Sequence, residues 1–333
     1  MTDPGSPIGL LLGSSIAPER IPMLAALGEQ LGFAELWLAE DYFFTGGIAG
    51  AAAALDATTT TPVGLGLVSA MVRHPAVLAM EAATLARMHP GRVRLGVGLG
   101  VPDWLRQVGL YPRSPLTALR EAVPLMRRLL AGETITVDGE FFSCREVGLT
   151  HVPPDPPPIY MGATGPKMLA LSGEVADGTL VSVLAGTAYI RWLRERIATG
   201  EAARGVGAAH RVVAFALYAV DRDANRAKAA LRDLVAFYLA VDPKSALTDV
   251  YGITDELLDM VTRGADDAPA TVAREMPDCW LDDLVVAGDP DECAAKLRSL
   301  LDAGADSVCL FPVGDDPADT LGLTARDVLP QMD

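Results

Sequence analysis

The feature that most constrains this chain is a regular alternation of short apolar runs, too brief for helices, with longer segments of helical spacing. The first run, Ile8 to Leu12, stops at Gly13-Ser14-Ser15 and reads as a buried strand. Pro18 then opens a pattern in which Ile21, Leu24, Ala25, Leu27, Gly28 and Leu31 share a helical face, and Gly32 ends it. The same unit recurs along the chain. Further strands are expected at Glu35 to Ala39, Val63 to Val68, Val93 to Val97, Pro158 to Met161, Thr179 to Val183, Arg211 to Val220 and Ser307 to Phe311. Helices are expected at Ile48 to Thr59, Pro75 to Met88, Ser114 to Ala131, Pro166 to Glu174, Ala188 to Ala203, Asn225 to Leu239, Pro290 to Ala303 and Leu321 to Leu329.

Two segments break the rhythm. Between Gly132 and Pro158, Asp138-Gly139 separates two extended stretches, the signature of a hairpin insertion. The polar, Asp-rich stretch from Val241 to Asp283 reads as a second insertion with short helices. The eight strand and helix units predict an α/β fold, a (β/α)8 TIM barrel with insertions after strand 4 and before strand 8. An open doubly wound sheet split into two domains is the alternative. It requires a linker, and none divides the chain, so residues 1–333 are expected to form a single barrel domain.

Composition narrows the partners. With 333 residues, 50% of them hydrophobic, the chain can bury a full core. Its 43 acidic against 27 basic residues leave a net charge of −16, which repels nucleic acid and anionic membranes, so neither is expected as a partner. Cys144, Cys279, Cys293 and Cys309 lack CxxC spacing, and His74, His89, His151 and His210 form no i,i+4 pair, so no metal site is expected. The start MTDPGSP lacks the features of a leader, and no apolar run reaches membrane-spanning length; a cytoplasmic location with reduced thiols follows as the expectation.

In such a barrel the chemistry comes from the loops after the C-terminal ends of the strands. The most informative of these is Gly162-Ala163-Thr164-Gly165-Pro166-Lys167. Small residues and a hydroxyl lie there between a strand and a helix start, where open N–H groups and the helix dipole suit a phosphate. A plain helix cap is the alternative. A second glycine turn, Gly96-Val97-Gly98-Leu99-Gly100, has the wrong spacing for a dinucleotide fingerprint and instead allows close approach of a flat ring or of another backbone. Glu40 and Asp41, just before Tyr42-Phe43-Phe44, are candidate proton carriers; a capping or solvated pair is the alternative. His74 is either a proton carrier or a residue that shapes the loop ahead of Pro75. Trp37 reads as core packing, and Trp104 as a wall of an apolar substrate pocket.

Several motifs in order carry a resemblance. Gly32-Phe33-Ala34-Glu35-Leu36-Trp37 with Glu40-Asp41-Tyr42-Phe43, Arg73-His74-Pro75, His89-Pro90-Gly91-Arg92, Pro158-Ile159-Tyr160-Met161-Gly162-Ala163 and Ala176-Asp177-Gly178 resemble the luciferase-like monooxygenase superfamily. Within it the chain is most similar to the branch that uses the deazaflavin coenzyme F420, that of the methylenetetrahydromethanopterin reductases. The resemblance implies hydride transfer between this coenzyme and an apolar or heterocyclic organic substrate. FMN with oxygen, in a monooxygenase, is the alternative cofactor chemistry, and a barrel that merely binds flavin is a further one.

The resemblance also implies a non-prolyl cis peptide at Gly66-Leu67, with Leu67, Val68 and Ser69 against the ring. Gly162, Ala163, Thr164 and Gly165 would take the phosphate, while Asp41, Gly98, Gly100 and Ser182 complete the expected cofactor contacts. A homodimer formed through helices near units two and three and a separate reductase supplying reduced cofactor are the implied partners. The chain departs from that reductase family at Leu11 and Val101, where the family has carboxylates, so pterin reduction is not implied; Asp103 is the nearest candidate to substitute.

Overall fold

The computed structural model describes residues 6–205, 209–314 and 317–332; the first five residues of the segment read for a leader lie outside these. Its strands are β1 (Ile8–Leu12), β2 (Leu36–Leu38), β3 (Val63–Ser69), β4 (Val93–Gly98), β5 (Ile135–Asp138), β6 (Ser143–Val147), β7 (Ile159–Gly162), β8 (Gly178–Val181), β9 (Arg211–Val220), β10 (Val286–Gly288) and β11 (Ser307–Pro312). Eight of them close a parallel ring in the order β1-β2-β3-β4-β7-β8-β9-β11, with β11 pairing back onto β1 at Leu10 and Leu310. Helices link successive strands and cover the outside, as a parallel sheet buried on both faces requires.

Both insertions stand where the sequence places them. β5 and β6 form an antiparallel hairpin after β4. Before β11 come the helices Ala246–Tyr251, Thr254–Gly264, Ala268–Glu275 and Asp278–Leu284. The sequence reading missed β10, which pairs with the end of β9 outside the ring, Val286 opposite Tyr218 and Gly288 opposite Val220. Three residues are too few to display a period.

The barrel interior is filled by Leu11, Trp37, Tyr160, Leu180, Val213, Phe215 and Cys309. Trp37 is fully buried there, 5.3 Å from Tyr160 and 5.9 Å from Phe215 between ring centroids, so it is core as expected. A Cβ on Gly64 would stand 2.3 Å from its indole, which is why the facing strand carries glycine. Outside the ring, Leu24, Leu55, Leu78, Leu119, Leu193 and Leu297 bury the helical faces, each worth about 1.5–3 kcal/mol. A separate cluster, including Leu231, Val235, Leu257, Val272 and Leu281, seats the insertion helices on helix Ala224–Val241.

β3 is irregular where it nears the mouth. Its register shifts between Leu65 and Val68, and the Gly66–Leu67 peptide is cis, at the position the resemblance implies. A second non-prolyl cis peptide joins Tyr42 to Phe43.

Candidate active site

The two carboxylates after β2 take different partners. Glu40, with only 5% of its side chain exposed, accepts Nη1 and Nη2 of Arg73 at 2.6 and 2.8 Å and the Gly47 N–H at 2.8 Å. Both its oxygens are occupied, so Glu40 ties the loop after β2 to the loop after β3. Asp41 accepts the Ser14 hydroxyl on Oδ2 at 2.6 Å and keeps Oδ1 open. Across the mouth, helix Ala224–Val241 brings up Tyr238, whose phenol is raised chiefly by burial and then by the Asp41 charge. Of the two candidates, only Asp41 has an oxygen free for proton traffic. Tyr42, which the sequence reading did not single out, has a buried hydroxyl beside Ser69; burial, with the Glu40 and Asp41 charges adding, raises its phenol.

The residues expected behind a ring divide in the same way. Leu67 is partly exposed, and its side chain lies in a notch left by two glycines. A Cβ on Gly98 would meet it at 2.7 Å and one on Gly162 at 2.1 Å. These glycines therefore make room for Leu67. Val68 is fully buried, its side chain packed beside Gly47. The Ser69 hydroxyl donates to Leu99 O at 2.6 Å and accepts the Met71 N–H at 3.0 Å, so it fastens β3 to the loop after β4. Gly100, at φ +90°, sits beside Tyr42: a Cβ there would be 3.0 Å from the Tyr42 hydroxyl.

After β7, Gly162, Ala163, Thr164 and Gly165 lead into helix Pro166–Val175, whose N-cap residue Gly165 makes no side-chain cap. Thr164 does not cap it either. Its side chain is exposed and its hydroxyl unengaged, while its carbonyl accepts the Tyr189 hydroxyl. Ser182, after β8, opens onto the same cleft as Thr164, while the start of helix Thr187–Arg204 is engaged by Tyr251, whose hydroxyl accepts the Tyr189 N–H at 3.5 Å. Open N–H groups at the start of helix Pro166–Val175 and two free hydroxyls are a donor set a phosphate takes.

A second pocket, about 290 Å³, lies beside Asp41 and Tyr42 and is walled by Phe43, Phe44, Val72, Val108 and Leu110. Trp104 lies tilted against two of its residues, with ring centroids 6.0 Å from Tyr42 and 6.4 Å from Phe44. Asp103 does not take the place of the missing carboxylate: its side chain is 80% exposed and paired with Arg106 at 2.5 Å. Leu11 is buried in the barrel and Val101 is exposed. His74 caps helix Pro75–Met88, its Nδ1 accepting the Ala76 N–H at 3.1 Å, so it shapes the loop. Among the described residues no three His, Cys, Asp or Glu side chains converge as metal ligands.

With this geometry in view, the luciferase-like monooxygenase family profile matches residues 5–307. A 5,10-methylenetetrahydromethanopterin reductase of Methanolobus tindarius is 29% identical over 321 residues, covering 93% of this chain and 95% of the relative. An F420-dependent glucose-6-phosphate dehydrogenase of Nakamurella multipartita is 30% identical over 332 residues, covering 95% and 93%. In structure, the coenzyme F420-dependent tetrahydromethanopterin reductase of Methanopyrus kandleri superimposes with a TM-score of 0.86 over 99% of this chain and 100% of that one, at 24% identity, a likeness of fold.

Proposed function

This chain belongs to the luciferase-like monooxygenase family, and from that premise we propose that it is a coenzyme F420-dependent oxidoreductase exchanging hydride with a small, apolar or heterocyclic organic substrate. The observation that carries the reading is the uncapped loop Gly162–Gly165 opening, with Ser182, onto one cleft at the barrel mouth. The names of the relatives, F420-dependent in one case and a methylenetetrahydromethanopterin reductase in the other, support the deazaflavin over FMN.

The residues present fit such a group. Thr164, Ser182 and the backbone N–H groups at the start of helix Pro166–Val175 would hold the phosphate. Leu67, set in its glycine notch, would support the ring. When bound, the coenzyme supplies a ring carbon that gives or receives a hydride. Asp41, oriented by Ser14, holds or moves the accompanying proton, with the Tyr42 hydroxyl close to the same wall. Tyr42 and Phe44, with Trp104 beside them, give an aromatic rim to the pocket where an apolar substrate would lie. We further propose a homodimer through helix Pro75–Met88, whose exposed Val77, Met80 and Met88 share one face, and a separate reductase as the source of reduced cofactor.

Titrating the purified protein with coenzyme F420 and with FMN, followed by cofactor fluorescence, tests the reading. Saturable binding of F420 is expected; binding of neither would sink it. Thr164→Val should weaken F420 binding by about 1–3 kcal/mol if the hydroxyl meets the phosphate. Oxygen consumption on addition of reduced FMN would instead place the chain among the monooxygenases.

A further inference from the structure

Backbone donors hold a phosphate only when something fixes the direction in which they point, and the loop after β7 has little stiffness of its own. Gly165 carries no side chain to restrict it, and a Cβ there would meet nothing within 4 Å. Pro166, at the first helical position, has no N–H to offer. The open backbone donors at this helix start are therefore Gly165 and Lys167, neither of which donates a hydrogen bond among the described residues. How the first of them faces depends on one peptide, Thr164–Gly165.

That peptide is trans and planar, so its carbonyl and its N–H point in opposite directions. The Thr164 carbonyl accepts the Tyr189 hydroxyl, and no other donor among the described residues reaches it. Holding the carbonyl thus holds the Gly165 N–H on the far side of the same plane. The Thr164 side chain, rooted at that peptide, is set with it.

Tyr189 is itself held. It is 1% exposed, and its ring stacks on Trp192 with centroids 5.4 Å apart and planes 19° from parallel. Its N–H donates to the Tyr251 hydroxyl at 3.5 Å. Tyr251 ends the insertion helix Ala246–Tyr251, and its oxygen comes so near Gly186 that a Cβ there would stand 2.4 Å from it. Burial, with the Asp242 charge adding, raises the Tyr189 phenol, so the group remains a donor at neutral pH.

We propose that Tyr189 is the positioning residue of the phosphate site: by holding the Thr164 carbonyl it aims the Gly165 N–H and the Thr164 hydroxyl at the cofactor phosphate. The proposal rests on the reading that the loop Gly162–Gly165 takes that phosphate. It predicts an effect confined to ligands that carry one.

The test measures, by fluorescence titration and competition, the dissociation constants of F420 and of its deazaflavin core without the phosphate side chain, for the wild type and Tyr189→Phe. This variant keeps the ring on Trp192, and thermal unfolding of the same samples shows that the protein compared is folded. F420 binding should weaken by about tenfold, the worth of one hydrogen bond to a charged group, while the core binds as before. The pair Tyr189→Phe, Thr164→Val should lose less than the sum of the two single losses, because both act on one contact. Equal losses for F420 and the core, an unchanged F420 affinity, or full additivity of the pair would overturn the role of Tyr189 and leave the cofactor reading standing. A wild type that binds neither ligand would overturn that reading and this inference with it.

Discussion

At the scale of single residues, the molecule separates groups that look alike in sequence. Glu40 and Asp41 are neighbours, yet Glu40 is sealed by Arg73 and Asp41 is held open by Ser14. Arg73→Met would leave a buried carboxylate with a single backbone donor. We expect a loss of about 3 kcal/mol in denaturant unfolding, much of it restored in the Glu40→Gln, Arg73→Met pair, because burying an unpaired charge costs more than deleting the ion pair. Asp41→Asn should instead leave stability nearly unchanged and lower kcat.

His210 offers a pH prediction. It is buried, hydrogen-bonded through Nε2 to the Thr179 hydroxyl at 2.8 Å, and burial, helped by the Arg194 charge, pushes its pKa down to about 4. Above the unfolded value near 6.5 the imidazole is neutral in both states and its contribution is intact. As pH falls from 6.5 to 4, the unfolded chain takes up a proton that the folded chain refuses, so stability drops by up to about 3 kcal/mol. Unfolding free energies across that window should fall less steeply for His210→Gln; an unchanged slope would refute the assignment.

At the scale of elements, the strand glycines were legible but their purpose was not. Gly98 and Gly162 face the same Leu67 side chain from two strands, while a Cβ on Gly96 would stand 1.9 Å from the Leu65 carbonyl oxygen. The two situations predict different outcomes. Gly162→Ala should displace the movable end of Leu67, weakening F420 binding by about tenfold with little loss of stability. Gly96→Ala pushes on backbone and should destabilise the barrel by about 1–3 kcal/mol, as overpacking does, which thermal unfolding would read. The loop after β7 was legible as a phosphate site or as a helix cap; the structure finds no capping by Thr164.

At the scale of the whole molecule, helix Pro75–Met88 carries the face proposed for dimerisation, with Val77 at 44%, Met80 at 52% and Met88 at 59% exposure. If the proposed dimer forms through this face, the wild type should sediment as a dimer and Met80→Glu as a monomer, since a charge on an apolar interface must be desolvated; a monomeric wild type would refute the dimer. No helix among the described residues is long and apolar enough to cross a membrane.

What the sequence determined by itself was the alternation of eight strands with helices, the two insertions, and the strand ends from which a site is built. These follow from local periodicity, which records the face each segment must bury. Tertiary structure alone decided which side chains meet. Ser14 reaches Asp41 across 27 positions, and Arg73 reaches Glu40 across 33. Tyr238, on helix Ala224–Val241, comes to the cleft of Thr164 only because the ring closes. A run of residues specifies its own buried face; it cannot specify a partner whose position depends on the closure of the whole ring.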